Sequence, residues 1–224
     1  NQYGAYGRAK ANQNYQEILN AYYPNITITR SYPVASQVHV VASAEWNCPV
    51  PGGNIDQWVS LEEYVKGIWE MPRSWPKEAL KAQVVAARTY ALYDTGNGAR
   101  SIEPNQNDQV YCPLAHKSSS YDSAWRQAVD ETSGEIMVYG GSPIGAWYAS
   151  TAGGYTLSSQ EVWGGYRAWA LGLKDFGPKG AYDGPAYGNS PWYHTGWGSR
   201  TGSGYNPWMT GEEFADIFNA RLLA

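Results

Sequence analysis

The chain contains no apolar run near the ~18 residues that a membrane-crossing helix requires. It also lacks any block of like charge: 16 Lys and Arg are scattered among 20 Asp and Glu, for a formal net charge of −4. A nucleic-acid binder needs a basic stripe to displace counterions from phosphates, so that class is excluded. Cysteine is limited to Cys48 and Cys112, and phenylalanine to three residues. At 224 residues the chain is long enough to bury a core without metals or many disulfides. No signal peptide is read, because Asn1 opens a polar segment; a leader is expected to have been removed upstream of it. No internal repeat is visible.

What is abundant is the polar aromatic ring, with eleven Trp and nineteen Tyr. Such rings need hydrogen-bond partners when buried and suit wet, concave surfaces, on which flat sugar faces stack. A carbohydrate ligand and a core built of Trp and Tyr are equally compatible with this composition. With 25 Gly and 13 Pro, much of the chain must be turn and loop.

The pattern reads as α+β. A Gly-rich opening loop leads into a helix capped by Asn14 with Glu17 in the reciprocal position, and Pro24 stops it. Alternation in NITIT and QVHVVAS marks strands. Ser60 with Glu63 forms a second capping box, opening a helix that Pro72 ends. A longer helix starts at Ser74, has Pro76 in its first turn, shows a stripe of Leu80, Val84, Ala87 and Ala91, and closes at Gly96. Glu70 is thereby expected in the last turn of one helix, just before the next. A helix near 121–132 and a hairpin turning at Gly140 and Gly141 follow. Residues 164–207 are Gly-, Pro- and Trp-rich without periodicity. A final helix is capped by Thr210 and striped by Phe214, Ile217, Phe218 and Leu222. Three parts are expected: 1–30, a core over 31–170, and 171–224 packing on it.

Cys48 and Cys112 read first as one disulfide in an exported protein. Cys112 also precedes His116 by four residues, a spacing that brings two zinc ligands together. Structural zinc takes four ligands and catalytic zinc three plus water, so two alone favour the disulfide and leave zinc as the alternative. His39 and His194 have no partner in sequence and read as structural.

The run SLEEYVKGIWEMPRSWPKEALKAQVVAARTYAL at 60–92 resembles the signature block of the SpoIID (stage II sporulation protein D) family. QVYC at 109–112 and SPIGAWYASTAGGYTLSSQEVWGG at 142–165 are similar to two further family elements. The opening NQYGAYGRAKANQNYQEILNAYYP resembles the tail of the family's Gly-His-Gly-Val-Gly-Met motif, which family members commonly carry near the C-terminus.

The resemblance implies a secreted bacterial cell-wall protein: a peptidoglycan lytic transglycosylase with its catalytic glutamate at Glu70. It implies glycan strands as the partner, no required cofactor, and a wall-lytic partner enzyme if the chain is a non-catalytic binder or amidase enhancer instead. A hydrolytic glycosidase uses two carboxylates. One suffices here, because the muramoyl 6-hydroxyl attacks its own anomeric carbon. Trp69, Met71 and Pro72 are expected to desolvate Glu70, and exposed helix-end carbonyls to act in the same direction, raising its pKa. Gln83, Arg88, Thr89 and Tyr90 on the following helix, the small-residue turn of Ser150, Thr151, Gly153 and Gly154, and Glu161 complete the expected substrate-binding set. Arg88 and Glu161 have ion pairing as their structural alternative.

Overall fold

The longest helix among the described residues, α4 (Lys77–Asp94), is buried along most of its length, with other elements packed against it. The structure, a computed structural model, describes residues 1–42, 55–113 and 122–190. In chain order the elements before α4 are α1 (Gln2–Lys10), α2 (Tyr15–Tyr22), β1 (Thr27–Thr29), β2 (Gln37–Val41), β3 (Asp56–Ser60) and α3 (Leu61–Lys66). After it come β4 (Ser101–Ile102), α5 (Asp122–Glu131), β5 (Ile136–Tyr139), β6 (Ser142–Pro143), β7 (Tyr155–Thr156), α6 (Ser159–Trp163), β8 (Leu173–Lys174), β9 (Phe176–Gly177) and β10 (Gly180–Ala181). The α+β expectation holds.

Two cores meet at α4. One side presents the expected stripe, Leu80, Val84, Ala87 and Ala91, to Val38 and Val40 of β2, Tyr64 and Val65 of α3, and Trp125 and Val129 of α5. The other presents Ala82, Val85 and Ala86 to Ile18 and Leu19 of α2, Met137 of β5, and Ile144, Ala146 and Trp169. Its many alanines let neighbouring elements approach closely on both sides, at little side-chain entropy cost.

The sheets are small. β1, β5 and β6 form one antiparallel sheet, with Ile28 opposite Met137 and Val138 opposite Pro143. The β5–β6 turn has Gly140 and Gly141 both at positive φ, 58° and 80°, which is the geometry a tight two-residue hairpin demands. In the second sheet β2 pairs antiparallel with β3 and parallel with β4. β7–β8 and β9–β10 are short ribbons, and β8, β9 and β10 fall within the 164–207 segment expected to be irregular.

Several local expectations change. The Gly-rich opening is a helix, α1, because Gly4 and Gly7 are contact positions rather than hinges. A Cβ on Gly7 would lie 1.8 Å from the Tyr182 carbonyl oxygen, and one on Gly4 2.2 Å from the Tyr22 hydroxyl. The Asn14–Glu17 capping box of α2 is present as expected. The Ser60–Glu63 box is not: Ser60 makes no side-chain cap, and Glu63 pairs with Lys66 instead. A further capping box, Ser158 with Glu161, opens α6. His39 is not isolated, since it stacks on Trp58 at 4.7 Å and pairs with Asp56 at 2.6 Å. The expected C-terminal helix and His194 lie outside the described residues.

Candidate active site

Helix α3 stops at Lys66, so Glu70 stands beyond it in a bend and not in its last turn. The reason is tertiary. From Gly67 the chain turns to pair with residues 110–112: Cys112 N–H donates to the Gly67 carbonyl at 2.8 Å, and Trp69 N–H to the Val110 carbonyl at 2.8 Å. Ile68 bridges Tyr111. The Tyr111 ring lies over Gly67, where a Cβ would come within 2.3 Å of it. The helix-end contribution expected at Glu70 therefore drops out.

The bend is held from behind by Arg73, which is 5% exposed. Its guanidinium donates to the Ile68 carbonyl at 2.8 Å, the Lys66 carbonyl at 3.2 Å and Asp122 at 2.9 Å. It also lies over the Trp125 ring at 4.9 Å. Burial pushes its pKa down to about 10, against the charge of Asp122, which leaves it cationic at neutral pH.

Both oxygens of the Glu70 carboxyl are engaged. Oε1 accepts Val110 N–H at 3.0 Å, and Oε2 accepts the Tyr148 hydroxyl in a short hydrogen bond. A chain of buried groups orients that hydroxyl: Tyr64 O–H donates to Gln109 Oε1 at 3.1 Å, and Gln109 Nε2 donates to Tyr148 Oη at 2.9 Å and to the Ala87 carbonyl at 3.2 Å. Burial raises the Glu70 pKa above its ordinary value, partly offset by the Tyr148 and Val110 hydrogen bonds that favour the carboxylate. Burial, reinforced by the charge of Glu70, lifts the Tyr148 phenol well above its ordinary range, so it stays a donor. Of the sequence neighbours expected to desolvate Glu70, Trp69 is 42% exposed and Met71 belongs to the core.

Glu70 lines a cleft of about 240 Å³ with Tyr90, Gln106, Asp108, Trp147 and Tyr148. Asp108 is a second carboxylate there. It accepts Glu103 N–H at 2.7 Å and also bonds the Tyr90 side chain. Burial and then the nearby acids Asp94, Asp108 and Glu70 raise the Tyr90 pKa.

Of the other expected site residues, only Tyr90 shares this cleft. Arg88 is fully buried and spends its donors on Glu62, at 3.0 and 2.7 Å, and on the Glu135 and Val129 carbonyls. Thr89 is buried between the Val85 carbonyl and Met137 N–H. Gln83 faces a separate small cavity with Tyr22 and Tyr148. The turn at Ser150, Thr151, Gly153 and Gly154 wraps a carboxylate of the protein itself: Asp183 accepts the Thr151 hydroxyl and the Ala152 and Gly154 amides. Glu161 is absorbed by its cap, the bonds from Ser158 holding its carboxyl below the usual range. Cys112 is disulfide-bonded, which removes the thiolate that zinc would need; Cys48 and His116 lie outside the described residues. No group of metal-ligating side chains occurs among the described residues.

Tyr148, Gln109, Tyr64, Arg73 and Asp108 were not anticipated. The signals for two of them were available: Gln109 opens QVYC, and Tyr148 sits on the alternating face that follows the hairpin.

Comparison with known proteins supports the family reading. The family model described as "SpoIID: Stage II sporulation protein" matches residues 53–139. The chain is 42% identical over 106 residues to the amidase enhancer of Bacillus subtilis, covering 47% of this chain and 14% of that protein. It is 34% identical over 121 residues to stage II sporulation protein D of Bacillus subtilis, covering 47% and 35%. An uncharacterized protein of Brachyspira hyodysenteriae is 38% identical over 108 residues, covering 47% and 29%. The chain thus matches about a third or less of the length of these relatives.

Proposed function

We propose that this protein acts outside the cell membrane on the glycan strands of peptidoglycan as a lytic transglycosylase, with Glu70 as its only acid and base. The observation that carries the reading is a largely buried carboxyl with a raised pKa at the wall of an open cleft, oriented by Tyr148 and the Val110 amide. Protonated Glu70 gives its proton to the oxygen linking N-acetylmuramic acid to N-acetylglucosamine, and the C1–O bond breaks. The muramoyl 6-hydroxyl attacks C1 to close a 1,6-anhydro ring, and its proton returns to the Glu70 carboxylate. No water need be activated. Asp108, tied to Glu103 N–H and Tyr90, is assigned to holding Tyr90 at the cleft wall.

The likeness to an amidase enhancer favours a second reading, in which the cleft binds glycan without cutting it and assists a separate wall amidase. Incubating purified peptidoglycan with wild type and with Glu70→Gln, then analysing the products by mass spectrometry, separates the two. Anhydromuramoyl ends from wild type, lowered about a hundredfold or more in the variant, support the lyase. Binding without cleavage by both proteins supports the second reading, and reducing muramoyl ends would show hydrolysis instead.

A further inference from the structure

Beside the Glu70 cleft lies a second, aromatic pocket of about 120 Å³, and Trp147 forms a wall of both. The Trp147 ring packs on Trp163 at 4.6 Å and on Trp169 at 5.0 Å. Leu157, Val162 and Leu171 complete the apolar lining, and Trp163, 62% exposed, stands at the rim. Of the polar side chains in this lining, Asn1, Tyr22, Tyr23 and Thr156 are hydrogen-bonded within the protein, and Ser159 is the exception. Ser159 lines the pocket and is 3% exposed, and its buried hydroxyl has no hydrogen-bond partner among the described residues. A buried hydroxyl left unpaired is costly, so this one is matched to an acceptor brought by a ligand.

Resting on the glycan reading above, we propose that this pocket is an acetamido subsite that reads the N-acetyl group of an amino sugar next to the bond facing Glu70. The pocket holds about four times the ~30 Å³ that one water occupies in the liquid, room for a group the size of acetamide. The methyl lies among the indole rings, and the carbonyl accepts the Ser159 hydroxyl. The sugar ring stacks on the exposed face of Trp163. An alkyl group would leave Ser159 unpaired, and a carboxylate would lose its hydration in a pocket whose described lining has no Lys, Arg or His side chain. The shared wall at Trp147 sets the subsite adjacent to the acid, so recognition of the acetyl group fixes the register of the strand.

The test uses the full chain carrying Glu70→Gln and titrates it, by calorimetry and tryptophan fluorescence at two salt concentrations, with a β-1,4 oligomer of N-acetylglucosamine and with the same oligomer deacetylated. The acetylated oligomer is expected to bind about tenfold or more tightly than its counterpart. Ser159→Ala should weaken the acetylated oligomer about three- to tenfold and leave the deacetylated one unchanged. Trp163→Ala, at an exposed position that tolerates truncation, should weaken both. Equal affinity for the two oligomers, or an unchanged acetylated affinity in Ser159→Ala with native circular dichroism, overturns the subsite. Wall cleavage persisting in Glu70→Gln would overturn the catalytic reading while the acetyl preference still stood or fell by the titration.

Discussion

At Glu70, burial and hydrogen bonding oppose one another, and burial wins, so the carboxyl is raised above its ordinary value of 4.5. Two pH effects follow. As a general acid Glu70 must be protonated, so activity falls as pH rises through its raised pKa, and the basic limb of the pH–rate profile belongs above the ordinary glutamate value. Tyr148→Phe removes a hydrogen bond that favours the carboxylate, so that limb should move to higher pH while the rate below it drops, the carboxyl having lost its orienting partner. An unmoved limb in Tyr148→Phe would show that the phenol does not act on Glu70. In stability, native Glu70 keeps a proton that the unfolded chain releases near pH 4.5. Unfolding free energy therefore decreases with pH from the unfolded value up through the folded one, and Glu70→Gln should flatten that part of the slope in denaturant titrations.

The bend at 67–73 is an element defined by what it pairs with. Gly67→Ala forces a methyl into the buried Tyr111 ring, which is stacked on Tyr64. The expected cost is about 1–3 kcal/mol in urea unfolding, with activity falling further than stability because Glu70 is carried on the displaced strand. Arg73→Met removes the guanidinium that joins the Ile68 and Lys66 carbonyls to Asp122, leaving those acceptors and a part-buried carboxylate behind. Asp122 keeps its pair with Arg126 at 2.6 Å, so a loss of about 1–3 kcal/mol is expected, and a loss under ~1 kcal/mol would mean that the bend is held by the pairing with 110–112 alone.

At the scale of the molecule, α4 belongs to both cores, so neither can melt while the other keeps α4 in place. Far-UV and near-UV circular dichroism should report a single coincident unfolding transition, and two separate midpoints would contradict a shared helix. Ala87→Leu, on the first core's face, should lower that one transition by about 1–3 kcal/mol through overpacking and leave it single. The family match, residues 53–139, contains α4 and the Glu70 bend but neither Trp147 nor Tyr148. Part of the cleft wall is thus supplied by chain beyond the matched segment.

The sequence by itself determined the α+β class, the α2 cap at Asn14, the Gly140–Gly141 hairpin and one face of α4, because periodicity and turn chemistry act over a few residues. It also singled out Glu70, through motif rather than through physics. Which groups bond that carboxyl and line its cleft was a matter for the tertiary structure: Val110, Tyr148 and Trp147 come from segments 40 or more positions away. The same holds for Arg88, whose charge is consumed by Glu62 across the packing of α3 on α4, and for the glycines of α1, which are contact points against Tyr22 and Tyr182. Desolvation and hydrogen bonding depend on which surfaces meet, and a linear pattern encodes the elements but not their meeting.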